Sequence, residues 1–436
     1  MASALWRHRE FLKFWAGSGI SDVGSQVTAL ALPLIAALML HATPWQMGLL
    51  AASGSAPVLL VGLFAGVWVD RVRRRPVMIA TDLGRALLLS MIPLAFVAGM
   101  LRMELLYVVM LLTGSLTVLF DVAHLSFVPS LVTGEHLVDG NSKIETTSAA
   151  AQVAGPSLGG VLVSMLGAPF AVLVDAVSFV GSALFIAWTR ANESLPKRRD
   201  ERAGVVAEIG EGWRVVIHDR VRRALAGCSA TTILFGRMFN AVYVLYMTRH
   251  LGLSAVGVGM VFATGGVGSL LGSIVAAPIT RRYGTGRTMI GAQLAFGLIG
   301  LMVPLAVFVP EIALPMIVGS EFAQWMALLV YWVNAISLRQ AITPDRLQGR
   351  VNATYWFLAG GARPVGALIG GGLGGVIGVP LTLVVACGGM LLSFLWLLLS
   401  PVRELQAMPT DSRPRRRSGS KRRSSPGTTS SDTHRT

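Results

Sequence analysis

The sequence is poor in the residues on which soluble enzymes and metalloproteins depend. Only 14% of its 436 residues are charged, and it holds seven histidines and two cysteines. Cys228 and Cys387 both fall in apolar runs, so they cannot build a disulfide framework or a metal site. A phosphate-binding loop, an HExxH motif and a GxSxG motif in a strand–turn–helix setting are also missing, which argues against an ATP-driven pump and a membrane hydrolase. We therefore expect no enzymatic activity, no metal and no cofactor.

What the sequence has instead is a series of long apolar runs. Hydrophobic residues make up 53% of the chain, and its mean hydropathy is +0.64. Runs of about 20 residues, the length that crosses a ~30 Å hydrocarbon layer, recur from end to end. We expect no cleavable signal peptide, because Arg7, His8, Arg9 and Glu10 precede a first run that is too long for one. These runs predict an all-α integral membrane protein.

Breaks at Gly, Pro and charge clusters divide the runs into twelve predicted transmembrane helices. Their ranges are 12–38, 46–69, 77–98, 105–128, 144–166, 170–189, 223–248, 255–279, 287–308, 312–336, 353–377 and 380–400. Arginine and lysine cluster after the second, sixth and eighth spans, whereas the loops at 41–44, 167–169, 309–311 and 378–380 are nearly free of charge. The positive-inside bias then predicts a multi-pass protein of the bacterial plasma (inner) membrane with both termini in the cytoplasm.

The net charge of +15 comes mainly from basic residues outside the apolar runs. Residues 402–436 hold nine Lys or Arg against three Asp or Glu, so six of the fifteen charges lie in this tail. Most of the others lie in short segments between apolar runs, which does not resemble a basic groove for nucleic acid. We expect a disordered cytoplasmic tail over 401–436 that, with the basic loops, contacts anionic lipid head groups.

A long loop divides the chain into two similar halves. We predict a six-helix bundle over 1–189, a cytoplasmic linker over 190–222 and a second six-helix bundle over 223–400. The linker segment 204–223 is amphipathic, which is typical of a helix at the membrane surface and equally of a solvated linker helix. Segments 66–71, 131–137 and 159–160 recur in degraded form at 276–281, 341–347 and 369–370. One offset of 210 residues for all three predicts duplicated six-helix repeats, with a substrate site between them.

Residues 66–75 resemble the signature of the major facilitator superfamily. The segment reads Gly66-Val-Trp-Val-Asp70-Arg71-Val-Arg73-Arg74-Arg75, with Arg73 in place of the second glycine of the family pattern. Segments at 80–85, 174–179, 338–340 and 344–353 are similar to the branch that holds macrolide-efflux proteins and the enterobactin exporter. The resemblance implies the major facilitator fold and alternating access. It also implies a drug:proton antiporter that works as a monomer and uses the proton gradient to export a drug, a macrolide-like compound or a siderophore.

Two other functions stay open at this point. The same fold also carries proton- or solute-coupled importers of small solutes, and a non-transporting membrane receptor or assembly partner would share the same span pattern. The direction in which a substrate moves in inside-out vesicles distinguishes export from import. In a receptor, neutralising the carboxylate that is predicted to carry the proton would leave every transport phenotype unchanged.

Charges within the predicted spans are functional candidates, because each costs at least about 2.5–3.5 kcal/mol in hydrocarbon. Asp22 is our first candidate proton carrier, since small residues around it leave room for water and substrate. Asp82 and Arg85 lie three apart on one helical face and are expected to pair. Asp175, early in the sixth span, is expected to pack against a neighbouring helix. The resemblance further implies a cytoplasmic latch that holds the outward-facing state and comprises Gly66, Asp70, Arg71, Arg74 and Asp121.

In the second half, Glu321 is our second candidate proton carrier. It is expected to pair with Arg237 or Arg363, either as a switch broken by protonation or as a permanent ion pair. Side chains near it are candidates for the wall of the substrate cavity, namely Phe239, Tyr243, Gln324 and Trp325. In the fifth span, Gly155-Pro156 is similar to a glycine–proline motif of exporters and predicts a hinge that packs closely through glycine.

The charge alternation makes a topology prediction. A cysteine introduced into 190–222 or into the tail should react with a thiol reagent only from the cytoplasmic side, and one introduced at His41 only from outside. The measurement is labelling by a membrane-impermeant maleimide in intact cells and in inverted vesicles. External labelling of either segment would contradict the arrangement of twelve spans.

Overall fold

Helices account for nearly all of the chain that the computed structural model describes, which is residues 8–69, 71–132, 137–190 and 213–407. No strand occurs in these four ranges. A helical segment stands at each of the twelve predicted positions, and we label the segments α1 to α12. In the N-terminal half they are α1 (Arg9–Leu34), α2 (Pro44–Ser55, Pro57–Leu60 and Gly62–Val69), α3 (Arg74–Val97), α4 (Met103–Leu131), α5 (Leu137–Leu166) and α6 (Ala168–Trp188). In the C-terminal half they are α7 (Arg220–Leu245), α8 (Ala255–Tyr283), α9 (Thr285–Gly300, then Met302–Leu305), α10 (Ala313–Ile342), α11 (Asp345–Val376) and α12 (Val379–Leu392 and Phe394–Leu398).

Ten of the twelve segments in the described ranges are long and apolar enough to span a membrane. The first exception is α2, which the sequence predicts as one helix and the structure breaks at Ala56 and Val61. Pro57 follows the first break, and its ring supplies no N–H for the helical hydrogen-bond ladder. The second exception, α11, is continuous but rich in glycine, and it carries Arg363 within its length.

The two halves share irregular features at a spacing of 211 residues. Each first helix ends in a π-helical turn, Ile35–Met39 after α1 and Tyr246–His250 after α7. Gly167 and Gly378, which precede α6 and α12, both adopt a φ of +83° that favours glycine. Matching irregularities at one spacing support the predicted pair of six-helix repeats, one residue away from the sequence offset of 210.

Glycines bring the two halves into backbone contact near one end of the bundle. We call the end that carries Arg71, Arg73, Arg281 and Arg282 the basic end, and the opposite end the bare end. Near the bare end, a Cβ added to Gly48 of α2 would lie 2.7 Å from the Cα of Gly371 of α11. One on Gly160 of α5 would lie 3.2 Å from the Cα of Gly259 of α8. Side chains larger than hydrogen would separate the halves, so these four glycines keep the bare end closed.

The halves also touch nearer the middle of the same helix pairs. A Cβ on Gly266 of α8 would lie 2.7 Å from the Cα of Val153 of α5, and one on Gly360 of α11 would lie 3.3 Å from a methyl carbon of Val58 of α2. The interface between the halves therefore runs along α2 with α11 and α5 with α8, from the bare end to mid-depth.

The linker and the tail lie largely outside the described residues. Of the predicted linker helix, the structure describes a short helix over 213–218. Val216 of this helix is buried, whereas Trp213 is exposed. The seventh helix begins at Arg220, three residues before its predicted start, because the Asp219 carboxylate accepts a hydrogen bond of 2.8 Å from the Arg222 backbone N–H and caps the helix.

The glycine contacts yield a prediction about closure of the bare end. Gly371→Ala should loosen this end, because the added methyl group meets backbone atoms of α2 and overpacking costs about 1–3 kcal/mol. Gly375→Ala on the same helix is the matched control, since a Cβ there meets nothing within 4 Å. Alkylation of Ala52→Cys, a buried position on α2, should become several-fold faster with Gly371→Ala and stay the same with Gly375→Ala. Equal rates in the two backgrounds would contradict the role given to Gly371.

Candidate transport site

Arg85 is the centre of a charged site inside the N-terminal half. It forms an ion pair with Asp82 one turn earlier on α3, which confirms the pairing predicted from their spacing. The two residues are only 4% and 0% exposed. The guanidinium carbon lies 4.3 Å from the ring centre of Phe120 and 4.1 Å from that of Phe179. Side chains of α3, α4 and α6 therefore all contact the Arg85 guanidinium.

Three further carboxylates lie within the electrostatic reach of the Arg85 guanidinium. They belong to Asp22 of α1, Asp121 of α4 and Asp175 of α6. We refer to Asp22, Asp82, Arg85, Asp121 and Asp175 as the N-terminal charge cluster. The sequence predicts the pair on α3 but not this assembly, in which the charges of four carboxylates act on one guanidinium.

Asp22, the first candidate proton carrier, lies at the interface of α1 with α5. The Ser148 hydroxyl lies beside its carboxylate, and the charge of Glu145 acts on it from the same helix. Its side chain is partly exposed. The polar run at 145–148 opens the fifth span in the sequence, and this run is the signal from which these neighbours could have been found.

The small residues around Asp22 have a different role from the predicted one. They do not leave room for water and substrate but accommodate the packing of α6 against α1. A Cβ on Gly17 would lie 2.9 Å from the Cβ of Phe185, and one on Gly24 would lie 2.6 Å from Oδ1 of Asp175. Asp175 is buried and its carboxylate lies against Gly24 of α1, so its predicted packing against a neighbouring helix is confirmed.

Asp121 belongs to the charge cluster and not to a latch in this structure. It is exposed, its charge interacts with Arg85, and it forms no ion pair with Arg71 or Arg74. The predicted contact of Asp121 with the arginine-rich loop is therefore not formed. Asp70 lies outside the described residues, so its role in the latch stays a prediction.

The arginine-rich loop is instead attached to the end of α6. Arg75 donates a hydrogen bond of 3.1 Å to the carbonyl of Ile186 and another to the carbonyl of Ala187. An arginine at a helix C-terminus satisfies carbonyls that have no partner within the helix. Gly66 of the motif faces open space, since a Cβ there would meet nothing within 4 Å. The role of Arg75 has no signal in the sequence beyond the run of basic residues.

His124 is a further polar group that the sequence does not single out. It shares a hydrogen bond of 3.3 Å with Ser18 of α1, and its ring stacks on Phe14 at 4.8 Å between ring centres. Its position one turn after Asp121 on α4 was the available signal. His124 ties α4 to α1 beside the charge cluster.

Glu321 occupies an enclosed polar site in the C-terminal half. It is 5% exposed and accepts hydrogen bonds from the Tyr243 hydroxyl at 3.1 Å and from the Trp325 indole N–H at 2.8 Å. The predicted ion pair with Arg237 or Arg363 is absent from this structure, because both partners of the carboxylate are neutral donors. Glu321 is thus a carboxylate without a counter-cation among the described residues.

The predicted wall of the substrate cavity is only partly exposed. Trp325 is 39% exposed, whereas Phe239, Tyr243 and Gln324 are buried. Phe239 and Tyr243 pack together with 4.5 Å between ring centres. A Cβ on Gly300 of α9 would lie 3.1 Å from the Gln324 side-chain oxygen, so Gln324 faces the interior of the C-terminal half instead of a cavity.

Gly155 and Pro156 lie where α5 contacts both halves. The helix continues through Pro156, the Gln26 side chain of α1 occupies the space beside Gly155, and a Cβ on Gly259 of α8 would lie 2.7 Å from the Pro156 carbonyl oxygen. The close packing through glycine is confirmed, and the hinge function stays a prediction.

The buried ion pair on α3 yields a stability prediction. Arg85→Gln should destabilise the protein by about 3–5 kcal/mol, because it leaves Asp82 as an uncompensated buried charge. Adding Asp82→Asn should restore part of this loss. Lys13→Gln, which breaks the part-exposed Lys13–Glu10 pair, is the control and should cost at most about 1 kcal/mol. Thermal unfolding of the purified variants in detergent measures the effect, and equal melting temperatures for Arg85→Gln and Lys13→Gln would contradict it.

The whole chain is similar to known membrane transporters. A family model described as transmembrane secretion effector matches residues 2–421. The chain is 27% identical over 399 residues to the multidrug efflux pump Tap of Mycolicibacterium fortuitum, and the aligned region covers 88% of this chain and 94% of the relative. It is 27% identical over 394 residues to the enterobactin exporter EntS of Citrobacter koseri, and the aligned region covers 86% of this chain and 88% of the relative.

The fold is likewise that of solved transporters. The structure is similar to that of a bacterial homologue of the iron transporter ferroportin in the inward-facing state, with a TM-score of 0.72, 17% identity and coverage of 90% of this chain and 98% of the other. It is also similar to the nucleoside transporter NupG, with a TM-score of 0.70 and 12% identity over 90% and 99% of the two chains. The chain therefore belongs to the transmembrane secretion effector family of the major facilitator superfamily and is a multi-pass membrane transporter.

Proposed function

We propose that this transporter is a proton-coupled exporter of amphipathic small molecules. The observation that carries the proposal is the N-terminal charge cluster, in which one carboxylate pairs with the Arg85 guanidinium and carboxylates from three further helices lie within its electrostatic reach. Transport coupled to protons requires a group that changes charge inside the membrane, and this cluster supplies several.

The composition of the cluster favours proton exchange. Four ionised carboxylates and one guanidinium would leave an excess of negative charge in a region of low dielectric, where charges are costly. Protonation of one carboxylate removes part of this repulsion. Asp22 and Asp121 are at least partly exposed and can exchange protons with water, whereas Asp82 and Asp175 are buried. Asp22 is therefore our first candidate for the coupling proton.

Glu321 is the second candidate, because its two partners are neutral donors that do not fix its charge as an arginine would. A protonated and an ionised carboxylate differ in their cost at each stage of the transport cycle. Protonation at either site would thereby shift the equilibrium between the two gate states.

The direction of transport is supported by the relatives, and the state of the structure is compatible with it. Tap is described as a multidrug efflux pump and EntS as an enterobactin exporter. With the basic end in the cytoplasm of the bacterial inner membrane, closure of the bare end corresponds to the state that takes up substrate from inside the cell. A drug, a macrolide-like compound or a siderophore is the proposed cargo class.

The test measures protons released by purified protein when substrate binds. The substrate is first found by comparing the drug susceptibility of a deletion strain with that of an overexpressing strain. Uptake of this compound into inside-out vesicles on energisation would indicate export, and its loss from preloaded vesicles would indicate import.

Asp22→Asn should abolish proton release and uphill export while keeping downhill exchange, because the variant mimics a permanently protonated state. Asp22→Glu should keep partial activity with a shifted pH optimum. Glu104→Gln, an exposed carboxylate in the first turn of α4, is the matched control and should behave as the wild type. Undiminished proton release in Asp22→Asn would move the role to Glu321, and undiminished release in Glu321→Gln as well would refute both assignments.

A further inference from the structure

Arg237 of α7 and Arg363 of α11 form a pair of cations without a counter-charge among the described residues. Neither makes an ion pair or a hydrogen bond within the part of the chain that the structure describes, and their two charges repel each other. A Cβ on Gly366, one turn after Arg363, would lie 3.1 Å from the Cβ of Arg237, so the two helices are in close contact here. We refer to Arg237 and Arg363 as the arginine pair.

The arginine pair lies at one depth, next to the contact that closes the bundle. Ala241 and Ala367 are buried together with Ala52 of α2 in a small cluster between the halves. Arg237 and Arg363 each precede one of these alanines by four residues, about one helical turn toward the basic end. Both cations therefore lie directly on the basic side of this alanine cluster.

Arg237 faces the space between the halves. On one side of its helix, Tyr243 binds Glu321 of α10, and on the other side Ala241 packs on Ala52 of α2. The face between these two contacts carries Arg237 and Asn240, and both side chains are exposed. Because α2 belongs to the other half, this face is directed toward the N-terminal half.

Arg363 occupies the matching position on α11. Its helix contacts α7 through Gly366 and α2 through Gly360. Arg363 lies midway between these glycines in the sequence, and at about 100° per residue it projects from the helix between them. Its side chain is partly exposed. The arginine pair thus lies beside the place where α2, α7 and α11 meet.

Two guanidinium groups that repel each other inside a membrane protein are costly unless an anion neutralises them. The guanidinium fork matches the oxygens of a carboxylate, a sulfonate or a phosphate, with two parallel hydrogen bonds. We propose that the arginine pair is an anion-binding site that takes the acidic group of an amphipathic substrate. This inference rests on the proposed export function and specifies its substrate class as amphipathic anions.

The site lies in the opposite half from the N-terminal charge cluster. With Asp22 as the proton carrier, substrate and proton occupy different halves, and their coupling runs through the equilibrium between gate states. This separation allows the anion site to be tested by binding alone, without a proton gradient.

A matched series of naphthalene probes tests the charge preference. The probes are 2-naphthoate, 2-naphthalenesulfonate, neutral 2-naphthol and cationic 2-naphthylmethylammonium, which share one ring system and differ in charge. Dissociation constants come from ligand-induced shifts in the thermal unfolding of purified wild-type protein. We expect the two anions to bind at least about tenfold more tightly than 2-naphthol, and the cation to bind more weakly still. Naphthoate binding no tighter than that of 2-naphthol, including no binding, would overturn the proposal.

Variants then locate the preference. Arg237→Gln and Arg363→Gln should each weaken naphthoate binding about tenfold or more and leave 2-naphthol binding unchanged. Arg102→Gln, an exposed arginine that precedes α4, removes the same charge away from the site and should change neither. If a glutamine variant does not fold, Arg237→Lys and Arg363→Lys keep the charge but lose the fork, and they should still lower the affinity for naphthoate.

The outcomes separate this proposal from the proposed function. Unchanged naphthoate affinity in both arginine variants refutes the anion site even if proton-driven export persists. Normal anion binding in the wild type, lost in the arginine variants, supports the site even if the protein fails to release protons on binding substrate.

Discussion

The cost of a charge in a region without water is the constraint on which this structure depends. In hydrocarbon, a guanidinium or a carboxylate must find its compensation inside the protein. The N-terminal half meets this requirement with Arg85, whose ion pair with Asp82 and contacts with Phe120 and Phe179 bring three helices to one point. The C-terminal half meets it with neutral donors around Glu321, and no described residue neutralises its arginine pair. The two halves share a fold but differ in charge chemistry.

With Asp22 as the proton carrier and the arginine pair as the anion site, the two proposals give the two walls of the transport path different tasks. Four carboxylates lie within the electrostatic reach of Arg85 in the N-terminal half, whereas the arginine pair belongs to the C-terminal half. A transporter that keeps its proton site and its substrate site in separate halves can change cargo by altering one half while its energy coupling is preserved. Relatives named for cargoes as different as enterobactin and multiple drugs are compatible with such a separation.

The sequence was sufficient wherever a feature depends on neighbours along the chain. The twelve helical positions follow from runs of apolar residues, and the pairing of Asp82 with Arg85 follows from their spacing of three on one helix. It was insufficient wherever a feature depends on direction around a helix. Glu321 was assigned an arginine partner because all three groups lie in spans, but its carboxylate points to Tyr243 and Trp325.

The small residues near Asp22 show the same limit. Glycine in a membrane helix indicates either open space or a close neighbour, and the sequence does not distinguish them. In the structure, residues of α6 occupy the space beside both Gly17 and Gly24. The break in α2 was missed for a related reason, since a proline can precede a break, as Pro57 does here, or lie inside a continuous helix, as Pro156 does in α5.

The mid-depth contacts between the halves have a mechanical consequence. Val153 meets Gly266 on one flank of the interface, and Val58 meets Gly360 on the other. Two fixed points define a line, and a rigid body held on a line keeps a single degree of freedom, which is rotation about it. If both contacts persist through the cycle, the two halves rotate relative to each other about an axis that lies in the plane of the membrane. Opening one end would then oblige the other to close, so this geometry alone would prevent a continuous leak without any signal between the gates.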